Sequence, residues 1–426
     1  MTDRLKRGTH SDEIPRVRRV DGETGGYDGY LTRSASVGMQ PKEHLQGYGY
    51  TELCLMICEN ASYRKAANIL NRVLHFEDDT RRVKASTLSD RVESFGSSLS
   101  DAYAQKAESV LEDAKIDAST GIITENSDIP QSVRTPQVQD VYDEAKMQEL
   151  ADSFNHGRDE AFHVSRDWLA KPFETDASRC CYISIDEIGV KSQKEKRYTS
   201  SGKKKKYVEN TVIHVQSGEK QYTLTAHGMR KAFKLLVAFL LNNKLMEDMR
   251  LIFFTDGANC IRENISRYFA FREHTIILDW LHLKKKCKEL VCSSIAGTKE
   301  DRNEVHKTLM AMLWAGNADN AMEYIAELPE KSVRNKGMLA ELKGYIERKS
   351  PYMACYAMRH ELGLRISSNR VEKENDLIVA SRQKHNGMAW SVKGSEALAV
   401  IVAASRNGEL DQWTRMKSIS FTMAAA

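Results

Sequence analysis

The sequence predicts a mixed α/β fold preceded by a helical N-terminal region, and three observations support this. Only seven prolines occur among 426 residues, so long stretches are free to form helices. Residues 46–115 carry apolar side chains at three- and four-residue spacing, which is typical of amphipathic helices. After about residue 180 the pattern changes to short β-branched and aromatic runs, which indicate strands.

The length exceeds what one core usually holds, so several domains are expected. Residues 1–45 are rich in Gly, Ser, Thr and charge with little periodicity, which predicts a flexible tail. Residues 46–115 form the helical domain. Residues 116–140 hold two prolines and a glycine among polar residues, which predicts a linker. The α/β domain then occupies residues 141–426 and opens with a helix over about 141–170.

The helical domain contains a possible helix-turn-helix. Its two segments are ASYRKAANIL at 61–70, with Ser62 as the predicted N-cap, and VKASTLSDRVESFG at 83–96. The second helix would begin at Ser86 or Thr87 and could enter a major groove of DNA. A plain helical bundle fits the same periodicity equally well, so both alternatives stay open.

The order of elements in the α/β domain is specific: three strands, a helix, a strand, a helix and a strand. This is the order of the RNase H-like fold. The strands are predicted at 181–190, 206–217, 220–228, 250–259 and 274–283, and the helices at 229–245 and 261–269. Residues 284 to about 360 are predicted to be an all-α insertion, and a late helix should run from about Val371 to Lys384.

Composition excludes several classes of protein. The N-terminal segment lacks the apolar core of a signal peptide, and the longest apolar runs, such as 235–241, are too short to span a bilayer. We therefore expect a cytoplasmic protein without a membrane partner. The eight cysteines show no CxxC pair or zinc-finger spacing, which predicts reduced, buried thiols.

The net charge of +4 is small but unevenly spread. From Lys191 to Lys206 there are eight Lys or Arg residues against one Glu, and four more lysines fall between Lys284 and Lys288. Such runs are more often solvated loops than binding sites, so they only support a case made on other residues. The candidate DNA contacts in these runs are Lys203, Lys204, Lys205, Lys206, Lys284 and Lys285.

Three aspartates, Asp186, Asp256 and Asp279, end predicted apolar strands. Strand ends at the rim of an α/β sheet are where such folds usually build sites. A turn or a helix cap explains each aspartate equally well by itself. Asp256 in particular precedes Gly257, and this pair suits a turn.

Glu372 lies on the late helix, and acids from the first strand, the fourth strand and a late helix can converge at one sheet edge. Three convergent carboxylates repel one another without cations, so hard ions such as Mg²⁺ are their natural partners. Two such ions could support an in-line displacement at phosphorus. A phosphohydrolase with Asp186 as nucleophile is rejected, because it needs an Asp at position 188, which is Ile188.

At these residues the chain resembles the DDE transposases of bacterial insertion sequences, in particular the ISKra-type group. The resemblance covers roughly residues 180–392. It implies that Asp186, Asp256 and Glu372 are the catalytic acids and the ligands of two Mg²⁺ or Mn²⁺ ions. Four blocks carry it: ISIDEIGV, FFTDGANCI, ILDWLHLKKK and SSNRVEKENDLIVASRQKHNGMAWS.

The resemblance also implies roles around the acids. Asp279 and His282 match a D-x-x-H block and are expected to support the site rather than bind metal. Arg382 and Lys384 would face phosphates. Trp390 is expected to support the fold, with stacking on a flipped base as the alternative.

The residues flanking Glu372 depart from the family pattern, so Glu374 stays open as the third acid. The function implied is that of a transposase that binds element ends and catalyses metal-dependent DNA strand cleavage and strand transfer. Joining requires two ends to be held together, so a homo-oligomer on DNA is expected. The alternatives are a domesticated, transposase-derived DNA-binding regulator and a nuclease without strand transfer.

Overall fold

The computed structural model describes residues 48–75, 82–137, 142–164, 179–193, 206–384 and 388–425. It has a mixed α/β architecture with one mixed sheet and many helices. The tail predicted at 1–45 lies outside the described residues. Within them, no helix is both long enough and apolar enough to cross a membrane.

The N-terminal region is helical, as predicted, with helices α1 (Tyr48–Asn60), α2 (Tyr63–Val73) and α3 (Ala85–Asp113). Ser62 caps α2, because its hydroxyl accepts a hydrogen bond from the Lys65 amide at 3.3 Å. The predicted start of the second helix at Ser86 or Thr87 is late by one or two residues, because α3 begins at Ala85.

The next segment contains two short helices, α4 (Gln131–Arg134) and α5 (Glu144–Asn155). The Asp143 carboxylate caps α5 by accepting a hydrogen bond from the Lys146 amide. The helix predicted over 141–170 is therefore too long, since α5 ends at Asn155 and a 3₁₀ turn follows at Glu160–Phe162.

The sheet has six strands in the order β5-β4-β1-β2-β3-β6. Strand β1 is parallel to β4, and β4 is parallel to β5. Strands β2 and β3 are joined by two residues only, which is the connection of a hairpin. The strands are β1 (Cys180–Lys191), β2 (Tyr207–Ser217), β3 (Lys220–His227), β4 (Arg250–Thr255), β5 (Thr275–Leu278) and β6 (Ala424–Ala425).

Two helices connect the parallel strands, α6 (Met229–Asn242) and α7 (Asn259–Tyr268). The predicted order of five strands and two helices is thus confirmed. The largest boundary error among these elements is at the last strand, which was predicted to reach residue 283 but ends at Leu278. It ends there because the Asp279 side chain caps the helix that begins at Trp280.

The predicted helical segment after β5 is confirmed, and further helices follow it to the C-terminal end of the described chain. The late helix begins as α13, continues as a π-helix at Asp376–Ala380 and ends as the short α14. The helices are α8 (Trp280–Ser294), α9 (Lys299–Trp314), α10 (Ala318–Ala326), α11 (Lys336–Lys349), α12 (Tyr356–Glu361), α13 (Asn369–Asn375), α14 (Ser381–Gln383), α15 (Val392–Arg406) and α16 (Leu410–Met416).

The contacts divide the described chain into two compact units. The first comprises residues 48–75, 82–104, 189–193, 206–210, 377–384 and 388–420. Its core includes a close crossing of α3 and α15: a Cβ on Gly96 would lie 2.3 Å from the Ala397 carbonyl oxygen, so only glycine fits there.

The second unit comprises residues 105–137, 142–164, 179–188, 211–376 and 421–425. One hydrophobic core of this unit joins apolar side chains of β1, β4 and β5 to helices α8, α9, α10 and α11. Burial of these apolar side chains fixes the insertion helices against the sheet. The predicted domain boundaries at 45, 115 and 140 stay predictions.

Candidate active site

The candidate site lies in the second unit, at the middle of β1 and the carboxyl end of β4. Asp186 was predicted to end its strand, but β1 continues past it to Lys191. Ile185 of β1 pairs with Thr255 of β4 in parallel register, so Asp186 and Asp256 directly follow paired residues on adjacent strands. Side chains at such equivalent positions of neighbouring parallel strands lie close together. The register therefore brings the first two predicted acids to one edge of the sheet.

The Asp186 carboxylate is held by two hydrogen bonds. Its Oδ1 accepts from the Glu187 amide at 2.8 Å, and its Oδ2 accepts from the side-chain Nδ2 of Asn375. Burial, together with the negative charge of Asp256, nevertheless raises the pKa of Asp186 to about 6. The raised pKa means that the site disfavours an uncompensated negative charge on this side chain.

The loop after Asp256 requires glycine and is braced by a lysine. Gly257 has a φ of 87°, and a Cβ at this position would lie 2.8 Å from Leu278 Cδ1. Lys349, from α11, donates hydrogen bonds from Nζ to the Gly257 carbonyl oxygen at 2.5 Å and to Asn259 Oδ1 at 3.3 Å. The insertion helices thereby fix the backbone that carries the second acid.

Asp279 joins three parts of the site and is fully buried. Its Oδ1 accepts a hydrogen bond from the His282 amide at 2.8 Å, which caps α8. Its Oδ2 accepts from the Ser368 amide and from the Ser368 hydroxyl. Although burial opposes the charge, the hydrogen bonds from His282 and Ser368 hold the pKa of Asp279 below its ordinary value. The carboxylate thus ties the end of β5 to the chain that leads into α13.

His282 lies between two carboxylates. Its Nδ1 is 3.3 Å from Asp279 Oδ1 and 3.4 Å from Glu372 Oε1. The hydrogen bond with Asp279 raises the pKa of His282, and the charges of Glu372 and Asp256 act in the same direction. His282 therefore links the third predicted acid to the strand-end aspartates.

Three side chains of α13, those of Glu372, Glu374 and Asn375, have different surroundings. The Glu372 side chain is 44% exposed and reaches His282. Glu374 is buried, and its Oε2 accepts a hydrogen bond from the Thr223 hydroxyl of β3 at 3.4 Å. Asn375 is also buried and contacts Asp186. One helix therefore contacts both the central strand and the β2–β3 side of the sheet.

The carboxylate oxygens of this site suit hard divalent cations in their chemistry. However, among the described residues no three His, Cys, Asp or Glu side chains stand close enough together to hold an ion. The residues are therefore of the type that binds hard cations, and the two-metal site stays a prediction.

The predicted DNA contacts fall in different places. Lys203, Lys204 and Lys205 lie outside the described residues, and Lys206 is exposed at the start of β2. Lys284 and Lys285 are exposed in the first turns of α8, and Lys384 is exposed after α14. All four described lysines can reach solvent, and their contact with DNA stays a prediction.

Arg382 and Trp390 are buried in the first unit. The Arg382 guanidinium donates to the Cys58 carbonyl oxygen at 2.9 Å, and its centre lies 5.0 Å from the Tyr63 ring and 5.3 Å from the Trp390 ring. Trp390 donates from its indole nitrogen to the Gln383 carbonyl oxygen. Both side chains pack against protein in this structure, so the phosphate contact of Arg382 and the base-stacking alternative for Trp390 stay predictions.

Sequence reasoning missed a basic groove beside the acids. It lies between the starts of α6 and α7, and Cys260, at one wall, is 3.7 Å from Glu187 Oε2. Tyr268 of α7 packs against Phe233 of α6, which holds the two walls together. The groove is lined by His227, Gly228, Met229, Arg230, Lys231, Cys260, Glu263, Asn264 and Arg267.

Asn375, Lys349 and Ser368 were also missed. Asn375 follows Glu372 by three residues, the spacing of one helical face, and this signal could have identified it. Lys349 and Ser368 are distant in sequence from the residues they hold. No pattern marks Lys349, and Ser368 lies in the late block SSNRVEKEND without a signal that pairs it with Asp279.

Comparisons with known proteins add little. No protein-family model matches the chain, and no curated protein matches it. Among solved structures, the chain is similar to the Drosophila P element transposase strand transfer complex, with 12% sequence identity and a TM-score of 0.22. The match covers 62% of this chain and 71% of that chain. A TM-score this low carries no argument about fold or function.

Proposed function

We propose that the chain is a metal-dependent DNA transposase that cleaves DNA strands and joins them to a target. The observation that carries the proposal is the register of β1 and β4, which places Asp186 beside Asp256 at the sheet edge where α13 presents Glu372. The strand order β3-β2-β1-β4-β5 supports an RNase H-like domain. It places the β2–β3 hairpin on one side of β1 and the parallel strands β4 and β5 on the other.

In this proposal Asp186, Asp256 and Glu372 hold two Mg²⁺ or Mn²⁺ ions. Bound ions would supply charge stabilisation at the attacking and leaving oxygens of a phosphodiester. Asp186 stands within β1 and Asp256 directly follows β4, so the sheet fixes the backbone of both acids. Glu372 reaches the site from α13, where its Oε1 lies 3.4 Å from His282 Nδ1.

Glu372 is a better third acid than Glu374. Glu374 is buried and engaged with Thr223 of β3, whereas Glu372 is the acid of α13 that lies near Asp279 and His282. The contact with His282 gives Glu372 an anchor on the Asp256 side of the site. Asp279 and His282 then act as positioning residues that keep α13 close to the strand ends.

The basic groove supports DNA as the substrate. Arg230, Lys231 and Arg267 give it three cationic side chains against the single carboxylate of Glu263. Cys260 of the groove lies four residues after Asp256 and 3.7 Å from Glu187 Oε2, so a strand whose phosphates contact the groove can place a neighbouring phosphodiester near the acids. Lys206, Lys284, Lys285 and Lys384 are further candidate contacts outside it.

The test uses the full-length protein with duplex DNA carrying the ends that flank its gene, in Mg²⁺ or Mn²⁺. We expect nicked and joined products from the wild type, and neither product from Asp186→Ala, Asp256→Ala or Glu372→Ala. Each of these variants should still bind DNA. Glu304→Ala, which removes an exposed carboxylate from α9, is the matched control and should stay active.

Each alternative has its own outcome in the same assay. Cleavage without joining would identify a nuclease, and DNA binding without either product in the wild type would identify a regulator. An inactive Glu374→Ala beside an active Glu372→Ala would move the third acid to Glu374. Activity that survives loss of all three acids would refute the metal site altogether.

A further inference from the structure

Asn375 occupies a position between two of the proposed catalytic acids. It is the last residue of α13, one helical turn after Glu372, and its side chain is 4% exposed. Its Nδ2 donates a hydrogen bond to Asp186 Oδ2. A buried side chain on the helix of the third acid thus holds the carboxylate of the first.

The hydrogen bond restricts how the Asp186 carboxylate can turn. The terminal torsion of an aspartate is soft, so a carboxylate at a sheet edge needs partners to keep one orientation. The Glu187 amide fixes Oδ1, and Asn375 fixes Oδ2. Glu187 belongs to β1 itself, whereas Asn375 belongs to α13. The hydrogen bond from Asn375 therefore couples β1 to α13.

The helix that carries Asn375 changes its type directly after this residue. The helix changes from α to π immediately after it, over Asp376–Ala380. Such π segments are rare, and they frequently occur at functional sites because they alter which side chains face inward. Glu374, one residue earlier, is anchored to Thr223, so this end of α13 is attached to two strands.

The other amide atom of Asn375 has a distinct environment. Among the described residues, its Oδ1 is buried and has no hydrogen-bond partner. A buried acceptor without a partner is costly, and such groups concentrate at functional sites. Asn375 could therefore act in two ways: through Nδ2 as a hydrogen-bond donor to Asp186, or through Oδ1 as a metal ligand. The experiment below separates these two roles.

We propose that Asn375 is a positioning residue that orients the Asp186 carboxylate for metal binding by donating a hydrogen bond to its Oδ2. The proposal rests on the metal-dependent function proposed above. It assigns the contribution to the donor atom, Nδ2, and not to Oδ1. A partner that orients a metal ligand in this way typically contributes a factor of roughly 10 to 100 to metal affinity or activity.

The test is titration of the full-length protein with Mn²⁺, with free Mn²⁺ followed by electron paramagnetic resonance, and urea unfolding of the same samples. We expect Asn375→Ala to weaken Mn²⁺ binding roughly 10- to 100-fold, and to lower the turnover number of strand cleavage while the KM for DNA stays unchanged. Lys373→Ala, an exposed neighbour on α13, is the matched control and should leave the Mn²⁺ affinity unchanged.

Asn375→Asp decides between the two amide atoms, because it keeps the shape and one oxygen but removes the donor. Under the proposal it binds Mn²⁺ as weakly as Asn375→Ala. Binding at or above the wild-type affinity would make position 375 a metal ligand and overturn the proposal. Wild-type affinity in Asn375→Ala would overturn it as well, and because Asn375→Asp is isosteric it remains informative should the alanine variant fail to fold.

Failure of the proposed function gives a different result. A wild-type protein that binds no Mn²⁺ would refute the metal site, and the role of Asn375 with it. A wild-type protein that binds Mn²⁺, with Asn375→Ala unaffected, would refute only the role of Asn375.

Discussion

Replacing Asp186 by asparagine should stabilise the metal-free protein at neutral and alkaline pH. Burial and the charge of Asp256 raise the pKa of Asp186 from an ordinary value of 3.8 to about 6 in the folded chain. The unfolded chain releases this proton first as the pH rises, so the wild type loses stability between these two pKa values. At 1.36 kcal/mol per pH unit, the full loss is ~3 kcal/mol and is complete above about pH 7.

Asparagine is a neutral stand-in for the protonated carboxyl group, so Asp186→Asn escapes this loss. Its free energy of unfolding should exceed that of the wild type by ~3 kcal/mol at pH 8 and by only ~0.6 kcal/mol at pH 4. The measurement is urea unfolding in EDTA at pH 4, 6 and 8. Glu304→Gln, at an exposed position of α9, serves as the control and should show no such difference.

A variant no more stable than the wild type at pH 8 would refute the reasoning. So would an equal gain at pH 4 and pH 8, since that would have a cause other than charge. Adding Mg²⁺ at pH 8 should narrow the difference, because a bound cation compensates the negative charge that only the wild type carries.

Two further substitutions test the contacts around the site. Asp279→Ala removes the buried carboxylate that accepts hydrogen bonds from His282 and Ser368, and should cost ~3–5 kcal/mol of unfolding free energy at pH 7 in urea titrations. Because the pKa of Asp279 is lowered in the folded chain, this cost should shrink as the pH falls below 4, and a pH-independent cost would contradict its ionic origin. Arg382→Ala removes a guanidinium buried between two rings, and should cost about 2–4 kcal/mol while leaving the salt dependence of DNA binding unchanged. If instead the slope of the logarithm of the DNA-binding constant against the logarithm of the salt concentration falls in magnitude by about one, Arg382 is a phosphate contact.

The late-helix motif shows what a sequence pattern predicts and what it does not. Its spacing identified Glu372, Arg382 and Trp390 as special, and all three occupy specific environments. The pattern could not distinguish a side chain that faces the acids from one that packs between aromatic rings. That distinction depends on the course of the helix, which passes through a π segment after Asn375 and so changes the face each later residue presents.

The boundary at Asp279 is a second example. An apolar run through residue 283 has the composition of a strand, and periodicity alone extended it that far. The carboxylate of Asp279 caps the next helix instead, and Ser368, 89 positions later, supplies donors to its other oxygen. Local sequence does not reveal this second, long-range partner.

The sequence by itself determined the order of strands and helices, and the apolar runs that lead into Asp186, Asp256 and Asp279. Local hydrophobic periodicity and strand-ending carboxylates are properties of neighbouring residues, so they can be read directly along the chain. Only the tertiary structure decided that Asp186 stands beside Asp256, that His282 reaches Glu372, and that Asn375 holds the first acid. Those contacts join elements from 70 to 190 positions apart, and their geometry is set by strand register and core packing, which no local pattern encodes.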